Sequence, residues 1–321
     1  MRVLITGMGG ELGTRVAIEL EAADWVDRIV GVDGDPPRDR IGRTEFHLIG
    51  PRDGHELVDL VREVEPTAIV HLGIYEPEAR VSAKGAAQRT QAVALAALGA
   101  AAEVASVDRI IMRSGIEIYG RGRGTPTTPH EQVVLAPTSP FGASLLRAES
   151  IGVDAAAASG AALTRLRFAP LVGPHFPSPL GRYLRLPVVP FSALGELPFS
   201  LLHQEDATAA IVRALRVGHD GALNIASDGA VTASQAARMG GRLPIPIVGP
   251  GWQVAKVASE ILGAPLPDHV RELLIRGRCA DATLAGAVLD LRPQYTTPEV
   301  VKDLYEWASV TYLDPAELGA A

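Results

Sequence analysis

Three glycines and one carboxylate near the start of the chain have the types and spacing to hold a phosphate and a sugar. Gly7, Gly10 and Gly13 stand in LITGMGGELG (residues 4–13), directly after an apolar run and at the mouth of the helix-like stretch ELGTRVAIEL. Glycine at those points permits a tight turn, close approach of backbone to a pyrophosphate, and close packing of helix on strand. A phosphate placed there rests on the first amides of the helix, those of Gly10, Glu11, Leu12 and Gly13. About twenty residues beyond Gly13, Asp33 closes the next apolar run, RIVGVD. A carboxylate at that point accepts hydrogen bonds from both hydroxyls of an adenosine ribose. It also repels a 2′-phosphate, so the pattern favours NAD; Arg38 and Arg40 keep NADP open as the lesser alternative.

Side chains able to move a proton follow later strand-like runs. Tyr75 and Glu76 come after AIVHL (68–72), and Glu117 comes after RIIMR (109–113). If these runs are parallel strands, their carboxyl ends face the ligand crevice, and Leu72, Gly73 and Ser114 join its lining. A carboxylate at a strand end is more often solvated or salt-bridged, so Glu117 is a candidate and not an assignment. His130 and His175 lie in loops, and His71, inside an apolar run, reads as a core histidine with its nitrogens satisfied. Tyr119 belongs to a YG turn and reads as structural. Arg271, Arg276 and Arg278 either form an exposed helix face or grip an anion. No HExxH, paired cysteines or carboxylate cluster marks a metal, and no G-x-S-x-G turn marks a nucleophile elbow.

The elements that must position these residues are legible as alternating runs. RVLIT (2–6), RIVGVD (28–33), EFHLI (45–49), AIVHL (68–72), RIIMR (109–113) and ALTRLRF (162–168) are strand-length and mostly apolar on both faces. Helical stretches separate most of them, which predicts an α/β fold with a doubly wound, Rossmann-type parallel sheet. Seven prolines between 170 and 198 exclude long regular elements there. A helix is expected from near Asp206, capped by that carboxylate, then a strand in GALNIAS (221–227) and a helix over 296–308 opened by Thr297 and Pro298. The expected division is a nucleotide-binding domain over 1–168 plus about 200–227, and a smaller substrate-binding region over about 169–199 and 228–321.

Composition narrows the classes. The chain has 321 residues, 47% hydrophobic and 21% charged, with a net charge of −7. That acidity gives no basic footprint for nucleic acid. One cysteine, Cys279, excludes a disulfide framework and fits a reducing cytoplasm. The opening MRVLITG is too short an apolar run for a signal peptide, and the apolar segment 92–105 is broken by Glu103 before it could span a membrane.

Taken together, TGMGGELG (6–13), VHLG (70–73), SGIEIYG (114–120), SPFGAS (139–144), LRFAPLVGPH (166–175), LLHQEDATAAIV (201–212), ALNIAS (222–227) and the segment 279–301 resemble the extended short-chain dehydrogenase/reductases, the NAD-dependent epimerase/dehydratase family. The resemblance covers nearly the whole chain and implies a catalytic serine or threonine, tyrosine and lysine. The matching positions are Gly115, Phe141 and Leu145, so the tyrosine's ionisable oxygen and the lysine's ribose contact are missing. General acid–base catalysis contributes typically 10² to 10⁴-fold. On the substrate side, an asparagine is matched by Pro170, a diphosphate-binding arginine by Phe199, and an adenine-contacting aspartate by Gly50. Dehydratase relatives place an acid at the position of Glu117. Two readings follow: a nucleotide-responsive binding or regulatory protein with a degenerate centre, or an enzyme, epimerase/dehydratase-like or non-redox, with a rebuilt one. The small-residue faces of the helices near 81–105 and 139–158 match those through which relatives form homodimers.

Overall fold

The computed structural model describes residues 1–78, 81–174 and 176–306. Strand and helix alternate as the apolar runs require: β1 (Arg2–Thr6), α1 (Glu11–Glu21), β2 (Arg28–Asp33), β3 (Glu45–Leu48), α2 (Gly54–Val64), β4 (Ala68–His71), α3 (Ala83–Ala101) and β5 (Arg109–Gly115). A 3₁₀ turn (Ile116–Tyr119) precedes α4 (Pro140–Ser159) and β6 (Ala162–Phe168). Short elements then follow, β7 (Leu171–Val172), α5 (Pro179–Leu184), β8 (Val188–Ser192) and β9 (Leu202–His203), as the proline run dictates. The remainder is α6 (Gln204–Val217), β10 (Gly221–Ile225), α7 (Ala233–Met239), β11 (Leu243–Ile247), α8 (Gly251–Ile261), α9 (Asp268–Arg276), α10 (Thr283–Leu289) and α11 (Thr297–Glu306).

Seven strands form one sheet in the order β10-β6-β5-β4-β1-β2-β3, every pair parallel. The order reverses direction between β1 and β4, and that switch point is where an open α/β sheet leaves a crevice for a ligand. Val3, Leu4, Ile5, Ile69, Val70, Ile110 and Ile111 are at most 1% exposed, which is why these runs read as apolar without alternation. A second apolar cluster gathers Val172, Tyr183, Leu184, Phe199, Leu273, Val301 and Leu304 around the short elements. The sheet's own core reaches late into the chain, taking Ala285, Leu289 and Leu291.

A buried polar network fixes the sheet edge to the loops above it. Arg167 on β6 donates two hydrogen bonds to Glu149 on α4, at 3.0 and 2.8 Å, and both side chains are 3% exposed. Burial alone would weaken the Arg167 cation, yet its pairing with Glu149 leaves its pKa raised. Arg167 also donates to the Tyr119 hydroxyl, which donates to Asn224. The Asn224 amide donates to the carbonyls of Pro129 and Asp281. Tyr119 is therefore structural, as the YG turn suggests.

One expectation about a helix start is overturned. α6 begins at Gln204 and is capped by His203, whose Nδ1 accepts from Glu205 N. The Asp206 carboxylate instead accepts from Gln294 N and Tyr295 N at 2.7 and 3.3 Å. The helix expected over 296–308 is present as α11, and residues 307 and 308 lie outside the described residues. Among the described residues no helix is long and apolar enough to cross a membrane, and no group of histidine, cysteine or acidic side chains could hold a metal.

Candidate functional site

The glycine turn is built as its spacing requires. Gly7 has φ of +75°, and a Cβ there would lie 2.6 Å from the Leu72 carbonyl carbon. At Gly13 a Cβ would collide with the Gly7 carbonyl, so only glycine lets α1 come this close to the turn. Gly10 is the N-cap of α1 and supplies no side-chain cap. The first-turn amides are therefore left for an anion, and the helix dipole favours one there. Asp33 leaves the end of β2 and faces this turn, its Oδ2 accepting from Gly9 N at 3.0 Å and its Oδ1 from Asp35 N at 3.3 Å. Burial raises its pKa, opposed by the amides of Asp35, Gly34 and Gly9. Glu11 is engaged with Arg15 at 2.7 Å, and Leu12 is buried, so what these two residues offer a ligand is backbone. Arg38 and Arg40 are exposed.

A turn of uncapped amides beside a fixed carboxylate matches the pyrophosphate and ribose of a dinucleotide. Leu72 and Gly73 continue from β4 and are buried, with Leu72 against Gly7. Ser114 is 3% exposed, and its hydroxyl has no hydrogen-bond partner.

Beyond the ends of β5 and β6 lies a second, smaller space of about 40 Å³. Gly115, Phe141, Leu145, Glu76, Glu117 and His269 are among the residues around it. Phe141 and Leu145, on α4, are 8% and 2% exposed. α4 starts cleanly, with Ser139 accepting from Gly142 N and Pro140 in its first turn, so the phenylalanine sits on a well-formed helix. A Cβ at position 115 would collide with Oε2 of Glu117 and lie 3.0 Å from Leu145 Cδ1. The carboxylate of Glu117 thus fills the space that a side chain at 115 would need. Burial raises the Glu117 pKa, while the charges of His269 and Arg121 act against that rise.

His269, from α9, was invisible in the sequence as a site residue. Its ring lies 4.6 Å from that of Phe141, and its Nε2 is 2.7 Å from Glu76 Oε1. A carboxylate that orients an imidazole is an arrangement able to accept and return a proton. Glu76 and Glu117 both border this small space, and Tyr75 does not. Its phenol is pushed up by burial and by the carboxylates of Asp33 and Asp35, which places it on the nucleotide side, and it does not line the small cavity.

The remaining candidates separate. His130 is exposed in its loop, and His175 lies outside the described residues. His71 is buried with Nδ1 2.7 Å from the Thr6 hydroxyl, but its Nε2 has no partner, so the core histidine is only half satisfied. Burial lowers its pKa to about 4. Arg271 pairs with Asp268 at 3.1 Å on the helix surface, whereas Arg278 is 5% exposed; the three arginines form no single patch.

Comparison with known proteins agrees with this geometry. An uncharacterized protein of Mycobacterium tuberculosis is 29% identical over 330 aligned residues, covering 98% of this chain and 86% of that protein. The crystal structure of UDP-glucose 4-epimerase with UDP-glucose from Thermotoga maritima superposes with a TM-score of 0.75 at 20% identity, covering 96% of this chain and 98% of that one. That of dTDP-glucose 4,6-dehydratase from Bacillus anthracis in complex with NAD gives 0.70 at 17% identity, covering 96% of each. The glycine turn, the order of the seven strands and a family model matching residues 3–226 agree, and the chain belongs to the NAD dependent epimerase/dehydratase family.

Proposed function

We propose that the chain binds NAD, in preference to NADP, and that its reaction centre has given up the serine–tyrosine–lysine proton relay, leaving a nucleotide-responsive binding protein. Gly7, Gly10, Gly13 and the first amides of α1 hold the pyrophosphate, and Asp33 takes the adenosine ribose. Leu72, Gly73 and Ser114 line the path toward β4 and β5. The observation that carries the reading is hydrocarbon at the centre: Phe141 and Leu145 are buried there, with about 40 Å³ left beside them. Ligand pockets usually measure roughly 300–1,000 Å³, so a hexose has no room without movement of α9. NAD, when bound, supplies a hydride-accepting nicotinamide, but Leu145 offers its ribose no hydrogen bond and Phe141 no proton. Calorimetry with NAD and with ADP-ribose tests this. The two should bind within about threefold of each other, because the nicotinamide half contributes little. An NAD affinity more than about tenfold tighter, or steady turnover of a sugar nucleotide, would overturn it.

A second reading is favoured by one specific arrangement, the half-buried Glu117 beside the Glu76–His269 pair. Here Glu117, kept protonated more readily by burial, donates a proton, and His269, held by Glu76, accepts one. Any activity found should then fall about 10² to 10⁴-fold in Glu117→Gln, and an unaffected rate rejects this assignment. The chain is also proposed to dimerise through α3 and α4, which pack side by side and leave Leu95 58% and Val153 42% exposed.

A further inference from the structure

Two arginines that line neither space described above are buried with several guanidinium N–H groups unpaired. Arg121 follows the 3₁₀ turn after β5 and is 7% exposed; Arg278 follows α9 and is 5% exposed. Nη1 and Nη2 of Arg121, and Nε and Nη1 of Arg278, have no hydrogen-bond partner. Leaving several guanidinium N–H groups buried and unpaired is among the costlier arrangements a fold can retain. Both residues line a cavity of about 180 Å³, room on the order of six waters. Thr125, Thr127, Pro198 and Arg276 contribute to the same wall, and no residue of the small cavity beside Phe141 is shared with it.

The surroundings hold the two cations in place without neutralising them. Arg276 donates to the Arg121 carbonyl at 3.0 Å. The carbonyl of Arg278 accepts from Ser200 N at 3.0 Å, and the neighbouring Cys279 N donates to Thr127 O at 3.0 Å. Burial, and next the charge of Arg278, pull the Arg121 pKa down to about 9; Glu117 and Glu272 oppose this from a distance. Burial likewise lowers that of Arg278, with the same two carboxylates opposing. Phe199, at the position of the family's diphosphate arginine, is fully buried in the second apolar cluster, so this pair is a separate arrangement. Two planar forks converging on one cavity suit a tetrahedral oxyanion, which accepts several hydrogen bonds at once.

We infer that Arg121 and Arg278 form a binding site for a phosphate group, either free inorganic phosphate or a phosphate monoester on a small ligand. The inference does not depend on what the reaction centre does. The test is thermal unfolding and calorimetry of the whole chain with inorganic phosphate, with phenyl phosphate as the monoester, and with chloride at matched ionic strength. Phosphate or phenyl phosphate should stabilise the wild type saturably where chloride does not, and the tighter of the two names the source. Arg278→Met and Arg121→Met should each weaken that binding at least about tenfold, while raising the melting temperature in chloride, because an unpaired buried charge is removed. NAD affinity should stay within about twofold in both variants. Thr127→Trp, which fills the cavity from an exposed loop and leaves both arginines in place, should block phosphate too and serves if either methionine variant fails to fold. A wild type that responds equally to chloride and to phosphate overturns the site. So do variants that bind phosphate as the wild type does.

Discussion

Replacing Gly115 by serine restores a hydroxyl that the family uses, and the structure says that the restoration should fail on its own. A Cβ at 115 collides with the Glu117 carboxylate and stands 3.0 Å from Leu145 Cδ1. Leu145, 2% exposed on α4, has little freedom to yield, whereas the Glu117 carboxylate borders the small cavity and must swing into it. Overpacking of this kind costs about 1–3 kcal/mol. Shortening the nearer obstacle removes most of the cost. In Glu117→Ala only the 3.0 Å approach to Leu145 remains, so adding Gly115→Ser to that background should cost little. The double-mutant cycle should then show a favourable coupling of about 1–2 kcal/mol. Urea unfolding of the four proteins measures it, with an unchanged m-value showing that the denatured state is not involved. Additive effects within about 0.5 kcal/mol, or a Gly115→Ser protein as stable as wild type, would refute the claim that Glu117 occupies the vacated side-chain position.

Other consequences are more direct. Asp33→Ala should weaken NAD binding by about 1.5–3 kcal/mol, the worth of hydrogen bonds to a charged group, as calorimetry would show. Because burial raises the Asp33 pKa, wild-type affinity for NAD should fall as pH drops through that raised value and the carboxyl ceases to accept two hydroxyl protons. His71, held neutral with a pKa of about 4, makes the unfolded chain the stronger proton acceptor below its ordinary value of about 6.5. Its contribution is whole above about 6.5 and is lost as pH falls toward about 4, roughly 3 kcal/mol in all; urea midpoints across that range in wild type and His71→Gln would check it. Glu149→Ala strands Arg167 in the sheet edge and should cost about 3–5 kcal/mol, read from the same denaturation curves. Light scattering at micromolar concentration should give a dimer mass that Leu95→Glu, a charge placed in the α3–α4 face, reduces to a monomer.

The sheet was readable because parallel strands are buried on both faces and so appear as unbroken apolar runs. β1, β2 and β6 carry the limits their composition suggests. The glycine turn and Asp33 were readable because their geometry is local: three glycines in one turn and one strand end. What escaped notice was assembled by packing over long separations. His269 meets Glu76 across 193 residues, and Arg121 meets Arg278 only because α9 lays its end beside the loop after β5. Neither pairing has a period or a spacing to detect. Asp206 misled for a related reason: an acid in a first turn looks like a cap, yet here a distant loop at 294–295 claims it. Tyr75 and Glu76 are adjacent in sequence, yet only Glu76 borders the small cavity.

The late return of the chain to the sheet has a consequence for any attempt to divide the molecule. Ala285, Leu289 and Leu291 close over the same core as β1 and β4, and the Asp281 carbonyl is tied to Asn224 on the outermost strand. A fragment stopping where the family model stops, at residue 226, would expose that seam and leave one Asn224 donor with nothing to hold. The nucleotide-binding half is thus finished by its last hundred residues, and protease-trimmed protein should lose both halves in one cooperative step.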